Sequence, residues 1–437
     1  MAGTLPPVTV EPRTTGASGL TPSEIYLQVA PSVAYVETSL ASGSGLLLDD
    51  GKLLTNAHVM WPYQTARVVF PNGTEVNKAL LLGLDRIADL AVLDVSHATD
   101  LPDPAVFGNG GELAIGSPVF LIGYPAEAVD YPTPSITQGI LSRKRSWDPL
   151  DVTYFQTDAV GEGGQSGGAL VSERGEIIGI TSLALGEGFM LAASIPDIST
   201  RVESLGLGLD VTGLGTREIG SLVGETEVQA EVPHFLAQQV WIMWPELGET
   251  VEVEVESRGD AWLNVHAPDG YAEVDADEAQ SGTESGTFEA QIDGPHFVTV
   301  GSNDLHPIQV TVRASGTLVA HTDPDDGTQL QVGATQAGSV DYPGDADWFV
   351  LDLEEGQRVF VTAETLNFDA QLVIDQATNA DDVLFWDDDS AGGIYGDTPA
   401  GYFTAPATGT YLVWVREAFF EDATAYDLGG YILSVEG

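Results

Sequence analysis

Apolar residues in this chain come in short runs that turn residues cut off again and again, and this punctuation restricts the fold to β-structure. Between Ser32 and Pro196 the runs are VAYVETS, GSGLLLDD, KLLTNAHVM, ARVVFP, KALLLGLD, LAVLDVS, PVFLIGYP, SITQGILSR, YFQTDA, GALVSE, EIIGITSLAL and FMLAASIP. Runs of this length, rich in branched side chains and bounded by glycine, proline or aspartate, read as strands rather than helices. The twelve runs suit two six-stranded barrels. A short helical turn is expected ahead of them, where TPSEIYLQV opens with Thr21 and Ser23 in capping positions.

The chain has 437 residues, more than one hydrophobic core accommodates. Residues 1–20, rich in proline, threonine and glycine, read as a flexible leader, and the double barrel is expected over 21–205. Residues 206–224 are glycine-rich and poor in large side chains, as a linker is. Two later segments then follow one loose pattern: a strand holding tryptophan, an acid-Gly-Glu turn, an alternating strand and a valine-rich strand. In the first these are VWIMWPELGETVEVEVES, AWLNVHAPDG and GTFEAQIDGPHFVTVGS; in the second they are GDADWFVLDLEEGQRVFVTAE, AQLVID and GYFTAPATGTYLVWVRE. The expected architecture is therefore all-β: a double six-stranded barrel, then two jelly-roll or immunoglobulin-like β-sandwiches over 225–316 and 331–437 with a linker at 317–330. In the second module, Trp348 and Phe349, following two acids, read as the inward start of a strand.

Acidic residues number 66 against 15 basic ones, a formal net charge of -51 spread along the whole chain. That field repels nucleic acid and anionic membrane surfaces, which excludes them as partners. It suits salty surroundings, although an ordinary acidic exported protein is the alternative. No cysteine is present, which removes disulfides, thiol catalysis and cysteine-ligated zinc. No stretch approaches the ~18 apolar residues of a spanning helix. The opening MAGTLPPVTVEPRTTGASGL has neither a basic nor an apolar signal region, and reads as the trimmed end of an exported protein, extracellular or periplasmic.

Three segments carry candidate chemistry. GEGGQSGGAL sets Ser166 among small residues, so the backbone can turn sharply and leave the amides of Gly164 and Ser166 unobstructed as oxyanion donors. LLTNAHVM places His58 at the end of a strand run, and DLAVLDV places Asp89 just before a buried strand, where the imidazole N–H would satisfy its carboxylate. Each signal alone has a plain alternative: an ordinary turn, a packed histidine, a strand-initiating aspartate facing water. Together they supply a nucleophile, a base, an orienting acid and an oxyanion site.

The ordered set GSGLLLDDGKLLTNAHV, DLAVL, VFLIGYPAE with SITQGILS, and QTDAVGEGGQSGGAL resembles the HtrA or Deg-type branch of the trypsin-like serine proteases over about residues 20–205. The resemblance implies His58 as general base, Asp89 as orienting acid, Ser166 as nucleophile and the amides of Gly164 and Ser166 as the oxyanion hole. It implies protein or peptide substrates, an acyl-enzyme and no metal or organic cofactor, and it places Val160 and Ala193 at the specificity pocket. With no charge evident there, small or aliphatic residues are expected before the scissile bond. An imidazole near its reference value of about 6.5 would give activity rising from mildly acid to neutral pH. Two departures are plain: no PDZ-like region follows, and no apolar zymogen-type N-terminus is seen. The last segment, about 330–437, resembles the prepeptidase C-terminal sandwich of secreted bacterial proteases, and 225–316 resembles it more faintly. The run Asp387, Asp388, Asp389 offers hard oxygens that calcium prefers, without the spaced pattern of a calcium loop; a solvated acidic loop is the alternative. A non-cleaving trypsin-like scaffold and a polymer-binding adhesin acting through the sandwiches are the rival functions.

If the acidity is an adaptation to salt, screening should relieve self-repulsion in the folded state. The thermal midpoint should rise between low and molar sodium chloride, and a flat calorimetric response would reject the idea.

Overall fold

The computed structural model describes residues 19–437 apart from 126–132, 162–163, 186–188, 213–223, 392–397, 419–427 and positions 236, 279, 305, 322, 367 and 377–378. Most of the expected leader and most of the first linker therefore lie outside the described residues. Order begins with α1 (Pro22–Val29), whose Thr21 side chain accepts from the Glu24 amide while Glu24 reaches back to the Thr21 amide. That reciprocal cap is what the sequence TPSE encodes.

Twelve strands follow, as the punctuation of the sequence predicts. β1 (Val33–Glu37), β2 (Ser42–Leu47), β3 (Lys52–Thr55), β4 (Thr65–Val69), β5 (Glu75–Asp85) and β6 (Leu90–Asp94) close a barrel in the order β1-β2-β3-β6-β5-β4. β7 (Pro118–Gly123), β8 (Ser135–Trp147), β9 (Val152–Thr157), β10 (Ala169–Ser172), β11 (Ile177–Leu185) and β12 (Phe189–Ser194) close a second in the order β10-β11-β12-β9-β8-β7. Each barrel is filled by its own apolar cluster, and a third cluster, including Tyr35, Leu46 and Leu90 of one and Phe120, Ile122 and Tyr154 of the other, fuses them along a seam. Between β3 and β4 lies the single helical turn α2 (Ala57–Met60).

One element was not anticipated: α3 (Ile195–Gly206) starts where the last strand run was expected to end and takes up residues next to the linker. Its buried Ile198, Val202 and Leu205 recur at helical spacing, so the signal was present in the sequence. The helix lies so close to β5 that a Cβ at Gly83 would sit 2.5 Å from the Leu205 carbonyl oxygen, which accounts for glycine there.

The two later segments follow one strand order, but in the first the two halves join as one eight-stranded sheet, whereas the second keeps two separate sheets. The first holds β13 (Glu225–Val232), β14 (Gln239–Met243), β15 (Thr250–Ser257), β16 (Ala261–His266), β17 (Ala272–Ala276), β18 (Gly282–Glu289), β19 (His296–Ser302) and β20 (Ile308–His321). The second holds β21 (Thr328–Gln329), β22 (Thr335–Val340), β23 (Ala346–Leu353), β24 (Arg358–Thr365), β25 (Ala370–Gln376), β26 (Asn379–Asp387), β27 (Ala400–Thr404), β28 (Gly409–Glu417) and β29 (Gly429–Glu436). The run β17-β16-β19-β14 of the first matches β26-β25-β28-β23 of the second, and β13-β20-β15-β18 matches β22-β29-β24-β27. The glycine turns in ELGET and LEEGQ correspond too, with left-handed Gly248 (φ 81°) and Gly356 (φ 78°) at equivalent places. β15 shows why the sequence reads as it does: Val251, Val253 and Val255 enter the core while Glu252, Glu254 and Glu256 face outward. By the same alternation only Phe349 of the Trp348–Phe349 pair enters the core; Trp348 faces the other way. The linker expected at 317–330 begins inside a strand, because β20 runs to His321, and it ends in the short β21 paired with β23.

The sandwiches pack against the barrels. The Trp61 indole donates to the Asp341 carbonyl (2.8 Å) and the Tyr63 hydroxyl to the Asp293 carbonyl (2.9 Å). Arg86, in the β5–β6 connection, is 8% exposed; it stacks on the Trp61 ring at 4.2 Å, pairs with the Asp341 carboxylate and donates to the Val340 carbonyl. Burial lowers the guanidinium pKa to about 10 despite the surrounding aspartates. Replacing Arg86 with Met would leave the Asp341 carboxylate buried without its partner, a loss of roughly 3–5 kcal/mol. Chemical denaturation of Arg86→Met should show that loss, and an unchanged midpoint would mean the docking does not rest on this pair.

Candidate active site

The site forms where the barrels meet. β3 ends at Thr55, and α2 carries His58 out of the barrel on one turn. Asp89 stands immediately before β6 in the left-handed region (φ 54°), a conformation that a non-glycine residue adopts only when its surroundings hold it there, at a cost on the order of 1–3 kcal/mol. The holding groups are visible. Asp89 is fully buried; its carboxylate accepts from the His58 amide (3.0 Å) and from the Ser182 hydroxyl (2.8 Å), and its carbonyl accepts from the Asn56 side-chain amide (2.8 Å). His58 Nδ1 lies 3.0 and 2.9 Å from the two carboxylate oxygens. The aspartate is thus satisfied inside the protein rather than by water.

This contact fixes the tautomer: Nδ1–H faces Asp89 and Nε2 is left as the proton acceptor. The ring retains 30% exposure at the cleft. Burial works to lower its pKa, but the charge and hydrogen bond of Asp89 outweigh it, and the net shift is upward from 6.5. The imidazole is therefore more basic than the ordinary value expected from sequence.

Ser166 sits on a loop braced by the first barrel. The Ser44 amide donates to the Ser166 carbonyl (2.7 Å) and the Ser44 hydroxyl to the Gly164 carbonyl (3.1 Å). Gly164 (φ 89°) and Gly167 (φ 81°) make the bend, and a Cβ at Gly167 would lie 2.0 Å from the Ser44 carbonyl oxygen. Among the described residues, the amides of Gly164 and Ser166 donate to no other group, which suits an oxyanion site. The Ser166 hydroxyl donates to the Ser182 carbonyl at 3.3 Å, and no hydrogen bond joins it to His58 among the described residues. Ser182 thus touches Asp89 with its hydroxyl and Ser166 with its carbonyl. Neither Ser182 nor Asn56 stood out in the sequence, because their contacts come from where the middle of β11 and the end of β3 lie in space.

The two residues expected at the specificity pocket fall apart in character: Val160 is 60% exposed, its carbonyl accepting from the Thr137 hydroxyl (2.8 Å), whereas Ala193 is 1% exposed between Tyr154 and Ile180. Neither lines the cleft beside His58. That cleft, of about 430 Å³, is bounded by Leu40, Ala41, Trp61 and Arg86 of the barrels, by Pro268–Gly270 of the first sandwich and by Pro343, Leu428 and Gly429 of the second. The sandwiches are therefore walls of the cleft and not remote appendages.

Residues 43–180, which include His58, Asp89 and Ser166, match the family model of the trypsin-like peptidase domain. Among curated proteins the chain is similar to serine protease HTR4 of Rattus norvegicus (31% identity, 44% of each chain) and to serine protease HTRA1A of Danio rerio (32%, 39% of this chain and 38% of the relative). It is also similar to the serine protease Do-like HtrA of Lactococcus lactis (29%, 44% and 46%). The chain thus spans less than half the length of the curated relatives it matches. Solved structures with similarity include the serine endoprotease from Yersinia pestis (34% identity, TM-score 0.37, 42% of this chain and 66% of that one) and the HtrA-type protease AlgW with decapeptide (25%, 0.38, 43% and 67%). No helix is long and apolar enough to cross a membrane among the described residues. Residues 43–180 are thus similar to the trypsin-like peptidase domain, and the relatives matched include serine proteases of the HtrA type.

Proposed function

We propose that the protein is a serine endopeptidase acting outside the cytoplasm, with Ser166 as nucleophile, His58 as general base and Asp89 as its orienting acid. The observation that carries the reading is the buried Asp89 carboxylate held against His58 Nδ1 at 2.9 Å, with Nε2 left for proton transfer. Ser166 attacks a peptide carbonyl as His58 takes its proton; the oxyanion is received by the amides of Gly164 and Ser166. His58 then protonates the leaving amine, and water activated by the same ring hydrolyses the acyl-enzyme. For attack the Ser166 hydroxyl must leave the Ser182 carbonyl and donate to His58. Cleavage after small or aliphatic residues, the expectation from the sequence, is part of the proposal.

Casein hydrolysis by the intact chain should be lost by about four or more orders of magnitude in Ser166→Ala. Absence of hydrolysis and of fluorophosphonate labelling in folded wild type would favour the non-cleaving scaffold, and products ending only in Arg or Lys would reject the aliphatic preference.

The pH profile follows from His58. The base is active when neutral, so a raised pKa shifts the rising limb of kcat/KM upward, to a midpoint above 6.5. In Asp89→Asn the charge and the tautomer are both lost; kcat should fall by about 10⁴-fold, and the limb should move down. A wild-type midpoint below 6.5 would contradict the assigned coupling.

A further inference from the structure

The second sandwich begins with five aspartates gathered in one place. Asp323, Asp325 and Asp326 come from the connection after β20, and Asp345 and Asp347 from the turn and first residues of β23. Asp325, Asp345 and Asp347 are each no more than 2% exposed. Several of these carboxylates have one internal donor: the Ser339 amide to Asp325 (2.7 Å), the Trp348 amide to Asp326 (3.1 Å), the Asp341 amide to Asp345 (2.6 Å) and the Tyr431 hydroxyl to Asp347 (2.5 Å). Those bonds do not complete the set. Oδ1 of the fully buried Asp347 and both oxygens of Asp323 are shielded from solvent without a hydrogen-bond partner. The buried cation nearby, Arg86, is already paired with Asp341.

Like charges crowded in a dry interior stay ionised only with a counter-charge beside them. One oxygen from each of Asp323, Asp326 and Asp347 lies within 4.8 Å of the others, the one such group among the described residues. That spacing fits oxygens arranged about a cation bound at ~2.4 Å, the distance at which calcium takes oxygen ligands. In the Asp387–Asp389 run, the calcium candidate expected from the sequence, one carboxylate is engaged in local bonds. Asp387 accepts from the Ser390 amide (3.1 Å), the Ser390 hydroxyl and the Ala400 amide (2.8 Å), so it holds a turn.

We propose that Asp323, Asp326 and Asp347 bind one divalent cation of the calcium class, tying the connection between the sandwiches to the first core strand of the second. Through Asp345, which accepts from the Asp341 amide, the same acidic layer adjoins the Arg86 pair that docks this sandwich on the barrels. The ion would thereby steady the wall of the cleft that contains Pro343. The proposal does not depend on the peptidase reading and is tested without an activity assay.

The experiment is titration of the full chain with terbium, excited through tryptophan, and with calcium under calorimetry, both in 0.5 M sodium chloride to suppress diffuse binding to the acidic surface. One saturable ion per chain is expected, displaced by calcium, together with a thermal midpoint that rises when calcium replaces EDTA. Asp347→Asn and Asp323→Asn should each weaken binding by about tenfold or more, whereas Asp387→Asn should leave it unchanged. Asp323 makes no hydrogen bond with its carboxylate, so its variant keeps the test decisive if Asp347→Asn fails to fold. Wild type without stoichiometric binding, or binding that survives in Asp323→Asn, would overturn the proposal.

Discussion

A buried carboxylate organises this molecule. Asp89 has no contact with water, and an unsatisfied ion in that place would cost several kcal/mol. Its donors come from both barrels: the His58 amide and ring from the turn after β3, and the Ser182 hydroxyl from β11. The barrels therefore cannot drift apart without stripping Asp89 of its partners, and the imidazole cannot turn without the same penalty. A left-handed backbone at Asp89 is tolerated because these bonds over-determine it.

The segment Asp85–Asp89, from the last residue of β5 to the start of β6, extends that constraint outward. Asp85, fully buried, pairs with Arg201 of α3 and accepts from the amides of Ile87 (3.1 Å) and Ala88 (2.9 Å), which fixes the turn. Arg86 leaves the opposite side to meet Trp61 and Asp341, and its carbonyl accepts from the Gly430 amide (3.3 Å). A Cβ at Gly430 would meet Ile87 at 2.7 Å, so the two backbones touch closely. One short segment thus holds the Asp89 carboxylate against His58 at one end, anchors α3 at the other and docks a sandwich between them. The position of the second sandwich is linked to the site through packed, hydrogen-bonded groups rather than a loose tether.

The sandwiches repeat one strand order with different surroundings. Each buries a valine-rich core, and each contributes residues to the cleft wall. Their outer faces carry the acids that give the chain its charge: on β15, Glu254 and Glu256 converge with Glu227 on the single guanidinium of Arg313. Such exposed pairs add little to stability and are screened by salt. The acid cluster around Asp347 is different in kind because it is enclosed, and there electrostatics must be balanced locally.

Much of this was legible from residues alone. Alternating and branched runs between turn residues gave twelve strands in order, since strand identity depends on local pattern and punctuation; the Thr21 cap and the repeat of the sandwiches were equally local. His58, Asp89 and Ser166 were legible as candidates because their neighbours are small or apolar in a way their chemistry requires. The helix α3 was overlooked despite its periodic Ile198, Val202 and Leu205, since it follows a strand without a break. Other features had no local signature: Ser182 and Asn56 as partners of Asp89, the turning of Ser166 toward the Ser182 carbonyl, the sandwich residues in the cleft wall and the gathering of Asp323 with Asp347. Each depends on groups distant in sequence meeting at a particular distance and angle. Sequence by itself determined which segments become strands and which side chains can do chemistry, because those follow from local sterics and residue type. Tertiary structure decided which buried charges find partners, because that depends on how the barrels and sandwiches close on one another.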